Sequence, residues 1–309
     1  MNDEVRAARS IMGLTPSLPA AHSKWSSIVR FSVLIAISFL IWWKPLRSTF
    51  ILALRDDQYT HILLILPVSL TLICLEWKAP DASSESRSRP GSTLLAAGVI
   101  SVAALARLQT FPLQPDQQLA ANMLALVMWW IASFRLAFGG GAFQRALFPL
   151  CFLLWIIPIP GVLLSLIVRG LQEGSTASAR ILFVVCGIPV AQDGTLLAIP
   201  GLTIEVAREC SSIRSSLILV VTTMVLAQLS LRTVWRKALV VAVAIPLSVV
   251  KNGLRIFVLG MLTTRVDRSY ITGRLHHQGG IIYFLITLVA VILLIWAARN
   301  TEKKLRLSI

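Results

Sequence analysis

Apolar residues in this chain do not alternate with polar ones. They gather into long runs near 28–43, 60–76, 92–108, 118–136, 146–167, 211–230, 238–262 and 280–298, divided by short polar joints. Crossing a hydrocarbon core about 30 Å thick takes about 20 mostly apolar helical residues. The pattern therefore predicts an all-α fold, a polytopic transmembrane helical bundle of about eight spans. Two stretches depart from it. The segment 171–189 opens with the polar "LQEGSTASAR", and only "ILFVVCGIP" is apolar, too short to cross alone. It reads as a re-entrant or interfacial helix on the outer side. In "DGTLLAIPGLTIEV", a Pro200-Gly201 pair separates two short runs of β-favouring residues, which predicts a small hairpin outside the membrane.

Composition agrees with the runs. Of 309 residues, 56% are hydrophobic and 14% charged, and the mean hydropathy is +0.77; soluble globular chains rarely combine such values. The formal net charge of +15 raises the question of nucleic acid. The basic residues are spread through short loops and tails, however, which fits anchoring to membrane lipid at the cytoplasmic face, and no nucleic-acid partner is expected. "RTVWRK" at 232–237 and the tail "RNTEKKLRLSI" are strongly basic, whereas "LQTFPLQPDQQ" at 108–118 has neither Lys nor Arg. The basic sides are thus expected in the cytoplasm. This organisation predicts a cytoplasmic tail over 1–27, a transmembrane domain over 28–298 and a basic cytoplasmic tail over 299–309. The first apolar run resembles a signal peptide but lacks a small-residue cleavage site. With Trp42, Trp43 and Lys44 behind it, it reads as a retained span. The four cysteines, at 74, 151, 186 and 210, form no CxxC pair. No nucleotide, haem or metal motif stands out, and no cofactor is expected. The "GGG" at 139–141 lacks the lysine and hydroxyl of a phosphate loop and reads as a cytoplasmic turn.

Chemistry concentrates in "VARECSSIRSS". With 232–237 inside, the preceding helix runs inward and Cys210 stands at its outer, N-terminal end. There the helix dipole and neighbouring cations favour thiolate, the nucleophilic form. The next span runs outward from Ala238, so Arg255 lies about 25 Å farther along, near the same level. An arginine in an apolar helix marks a functional site by default, and its permanent charge suits a thiolate or an oxyanion. His276 and His277, in the loop before the last span, can supply a base and then an acid to the leaving amine. Arg208 and Arg214 flank the cysteine and suit either an acidic substrate side chain or lipid phosphates. Each residue also has a plain alternative: a packing cysteine, a headgroup-binding arginine, an interfacial histidine.

Taken together, these segments resemble the exosortase/archaeosortase family of membrane cysteine transpeptidases. "VARECSSIRSS" matches its cysteine motif with Cys210, Ser211, Ile213, Arg214 and Ser215, but has Ser212 in place of the usual glycine. "KNGLRI" matches its second motif with Asn252 and Arg255, and "HHQGGIIYF" its third with His276, Gly280 and Phe284. "DDQYTHILLILP", with Tyr59 and His61, and "LFPLCFLLWIIPIPG" extend the likeness. Ile62 stands where the family has glycine, so His61 is left outside the catalytic group. Spacing to Gly280 and Phe284 selects His276 over His277.

The resemblance implies a cysteine peptidase in the bacterial inner (plasma) membrane with its site on the periplasmic face. Its substrates would be exported proteins with a PEP-CTERM-like C-terminal sorting signal. Cys210 would attack a peptide bond to form a thioester, Arg255 would support the anion, and His276 would carry the proton. Arg208, Arg214 and Asn252 are the candidate substrate-binding residues. Accessory proteins for later steps remain an open expectation. The competing readings are a polytopic transporter, with Arg255 as a substrate charge, and a noncatalytic membrane assembly factor.

Overall fold

The computed structural model describes residues 20–77, 90–108, 112–206, 213–265 and 280–307. Among these are ten α-helices, two short 3-10 helices and one small sheet. By length and apolar content alone, five of the described helices can cross a membrane, or up to seven spans result if each of two bent helix pairs counts as one. A shorter apolar helix covers Thr93–Arg107. The described part of each expected run is mostly helical, so the predicted all-α membrane architecture holds; the run 146–167 is broken at 157–160, and the described helices give five to seven spans against the eight expected.

The chain groups into two compact units, one of residues 1–51 and 62–158, the other of residues 52–61 and 159–309. In the first, α1 (Ala20–Ile41) ends at the buried Trp42 and bends by 76° into α2 (Trp43–Arg55), so the expected first joint is itself helical. α3 (Ile62–Trp77) and α4 (Pro90–Leu108) follow, then α5 (Pro115–Arg145) and the short α6 (Leu147–Phe152). Tryptophans staple α1 to α5: Trp129 Nε1 donates to Leu34 O at 3.0 Å and Trp130 Nε1 to Ser38 Oγ at 2.9 Å. The glycine run foreseen as a turn breaks α5 internally, since Gly139 takes φ +77°, a conformation open to glycine.

The second unit holds the 3-10 turn Asp57–Tyr59, α7 (Gly161–Val185), strands β1 (Ala191–Asp193), β2 (Leu196–Ile199) and β3 (Leu202–Glu205), then α8 (Ile213–Ser230), α9 (Val234–Arg265) and α10 (Gly280–Leu307). The foreseen hairpin is present: β2 and β3 pair antiparallel with Ile199 opposite Leu202, and Gly201 at φ +82° closes the turn after Pro200. An unforeseen β1 pairs with the other edge of β2. The sheet packs on α7 and α9 through a core of Ala179, Phe183, Leu197, Ile199, Val206 and Ile256.

The expected separate helix over 171–189 does not exist. α7 runs unbroken from Gly161 to Val185, and the break falls earlier, at Ile157-Pro158-Ile159-Pro160. Proline removes a helical donor and pushes its predecessor out of the α region, so two prolines two residues apart end a helix. The polar residues that made 171–180 look unfit to span form an interhelical contact instead: Ser175 and Thr176 are fully buried along with Ala179 and Phe183.

Candidate active site

α9 carries two of the candidate residues, Asn252 and Arg255. Its neighbour α7 approaches it so closely that side chains are excluded. A Cβ on Gly253 would lie 2.5 Å from Ser178 Cβ and Oγ, one on Gly174 would lie 2.9 Å from Val249 Cγ1, and one on Gly260 would lie 2.9 Å from Phe183 Cζ. Small residues at such crossings let backbones meet and bring polar side chains within bonding range. Asn252, 1% exposed, uses that proximity: its Nδ2 donates to Ser175 Oγ at 3.0 Å. The residue foreseen as a substrate contact thus sits inside the α7–α9 seam.

α8 and α9 are joined by only three residues and run antiparallel. Two cross-links hold them level. Near the connection Lys237 Nζ donates to Gln228 Oε1 at 2.7 Å, and toward the other end Lys251 Nζ donates to Ser215 Oγ at 2.5 Å. This register fixes the height of Arg255. Four residues beyond Lys251, it stands about 6 Å farther along α9, on the same helical face. α8 begins only two residues before Ser215, at Ile213, so Arg255 overshoots the described start of that helix by about 3 Å. Arg255 is half-buried, and its charge also reaches the half-buried Tyr283 near the start of α10.

Arg214 points elsewhere. Its Nη1 pairs with Asp57 Oδ1 at 2.8 Å, both side chains well exposed. Asp57 is held in a 3-10 turn whose cap is Asp56, accepting from Gln58 N at 2.9 Å. Tyr59 of the same turn donates from its hydroxyl to Ile159 O at 3.0 Å, and His61 is buried at 2% exposure. The end of β3 is tied as well: Val206 N donates to Thr195 O, and Gln172 Nε2 donates to Val206 O at 2.9 Å.

Cys210, Arg208, His276 and His277 lie outside the described residues. The flanks of the cysteine segment do not. Val206, four residues before Cys210, shares a core with Ile256, the neighbour of Arg255. Ser215, five residues after it, is bonded to Lys251. Both described flanks are therefore fastened to the one stretch of α9 that carries Arg255.

One participant escaped the reading of the sequence, Lys251. A lysine in the apolar run 238–262 was the available signal, since an ionisable residue there needs a partner. Its partner Ser215 was matched only as part of the cysteine motif, and nothing in the chain signals the bond between the two.

At the opposite end of this unit, Glu302 Oε1 accepts from Thr233 N at 2.9 Å and Glu302 Oε2 from Arg232 N at 3.3 Å. The buried Arg236 donates from Nη1 to Ala298 O and Thr301 Oγ1 at 2.8 Å each. The basic connection and the basic tail, assigned to one side from charge alone, do lie at the same end.

Among known proteins, no curated protein and no solved structure matches the chain. The family model described as transmembrane exosortase (Exosortase_EpsH) matches residues 42–293, well over half of the chain and all three motif segments. The chain belongs to the transmembrane exosortase family and is an integral membrane protein.

Proposed function

We propose that this protein is a membrane-embedded cysteine peptidase of the transpeptidase kind, cleaving a PEP-CTERM-like C-terminal sorting signal of exported proteins. It works in the bacterial inner membrane with its site on the outer face. Cys210 attacks the scissile carbonyl, Arg255 stabilises the thiolate and the oxyanion that follows, and His276 takes the thiol proton and returns it to the departing amine. The thioester then passes to an acceptor nucleophile.

The observation that carries this reading is the α8–α9 register. The Lys251–Ser215 bond sets Arg255 one turn past the level of Ser215, toward the end from which the chain leaves for Cys210. Three residues of chain extend at most about 10 Å, so Cys210 stays within that reach of Ile213. The cost of a cation within a membrane helix is best explained by an anion that forms there.

Arg208 is kept as a substrate-binding candidate, together with Arg214 and Asn252. For the last two, the bonds to Asp57 and Ser175 favour a role in shaping the site over direct contact.

Cells co-expressing a protein with such a sorting signal test the reading by gel shift. Wild type converts the substrate, while Cys210→Ala, Arg255→Ala and His276→Ala insert normally but leave it unprocessed, and His277→Ala still processes it. Undiminished processing by Cys210→Ala would sink the assignment. Product mass separates transfer, which adds a group, from hydrolysis, which leaves a free carboxyl end.

A further inference from the structure

We propose that Lys251 is a second cation of the site, held by Ser215 so that its charge acts with that of Arg255 on the anion formed at Cys210. The inference rests on the Cys210 reading above and extends it to a residue outside the three motif positions.

Lys251 is 6% exposed, so its ammonium does not snorkel to water. The ammonium is fixed by a hydroxyl, a neutral acceptor that sets its position without cancelling its charge. Neither α8 nor α9 contains an aspartate or glutamate; of the helices packed on α9, α7 carries one carboxylate, the exposed Glu173, and α10 one, Glu302, bonded at the opposite end to Arg232 N and Thr233 N. Arg255 stands four residues along on the same face, a like-charge spacing that disfavours a helix even in water. A lysine needed only to join α8 to α9 would be replaced at lower cost by an uncharged donor. Two cations one turn apart, brought into an apolar bundle on helices without carboxylates, make sense as a receptor for negative charge that appears during the reaction.

The test uses the full chain with Cys74→Ser, Cys151→Ser and Cys186→Ser, which leaves Cys210 as the one thiol of the four. Iodoacetamide reacts with the thiolate, forming an S–C bond and releasing iodide, so its rate against pH reports how readily Cys210 ionises.

Lys251→Gln keeps a donor for Ser215 and removes the charge. It is expected to raise the midpoint of the profile by about one pH unit. It slows alkylation at pH 7 only about threefold, because the more basic thiolate is also intrinsically more nucleophilic. Lys251→Arg restores both values. Ser215→Asp, which sets a carboxylate against the intact lysine, gives the same upward shift by an independent route, so the test survives if one variant fails to fold.

An unchanged midpoint in Lys251→Gln or Ser215→Asp overturns the proposal while leaving the Cys210 reading intact. A parent protein whose midpoint is that of an ordinary thiol, near about 8.5, overturns the Cys210 reading itself.

Discussion

Asn252 Nδ2 reaches across to Ser175 Oγ at 3.0 Å, at the point where α7 and α9 approach closely enough that Gly253 has no room for a side chain. The motif residue and the glycine beside it thus serve one purpose: they hold α9, and with it Lys251 and Arg255, at a fixed distance from α7.

The seam predicts a stability effect with a specific rescue. Gly253→Ala forces a Cβ to within 2.5 Å of Ser178 and should cost about 1–3 kcal/mol, seen as a lower thermal midpoint in detergent. Ser178→Gly in the same chain removes the two closest atoms and should recover part of the loss, the backbone N of Ala179 remaining at 3.0 Å. A Gly253→Ala protein as stable as wild type would mean that the two helices are farther apart than described.

The Arg214–Asp57 pair is expected to matter little for stability. With side chains 52% and 79% exposed, it should yield about 0.5 kcal/mol or less in a double-mutant cycle and fade with added salt. Activity discriminates between its two uses. If Arg214 serves chiefly to orient the start of α8 through Asp57, Asp57→Ala and Arg214→Ala lower processing alike. Loss confined to Arg214→Ala would assign the arginine to the substrate.

The hairpin turn has a conformational requirement. Gly201 adopts φ +82°, so Gly201→Val should destabilise by about 1–2 kcal/mol, whereas Gly98→Ala, where a Cβ meets nothing within 4 Å, should be neutral or slightly stabilising. Thermal unfolding of the two variants measures the contrast, and equal effects would contradict the described turn.

The Glu302 contacts to Arg232 and Thr233 predict topology. With the native cysteines replaced by serine, Trp235→Cys and Arg299→Cys should be labelled by a membrane-impermeant maleimide from the same side and not from the other. Labelling from opposite sides would contradict the two hydrogen bonds. Labelling of both from the cytoplasm supports the orientation that the basic residues suggest.

Features that depend on local composition were legible in the chain. Apolar run length places helices, because an unsatisfied backbone in lipid is too costly for any other spanning element at these lengths. Pro200-Gly201 places the hairpin because the turn needs a residue at positive φ. Arg255 stood out because a charge in an apolar run requires a reason, and Asn252 through the resemblance of its motif. For Asn252 the packed helices supplied its partner. Asn252 and the polar start of 171–180 turned out to be partners across one helical seam, so a stretch that looked unfit to span belongs to a continuous helix. The pairing of Lys251 with Ser215, and of Arg214 with Asp57 some 157 positions away, depends on helix register and not on neighbouring residues. One turn of register moves a side chain by about 5 Å, and only the packed helices set that register.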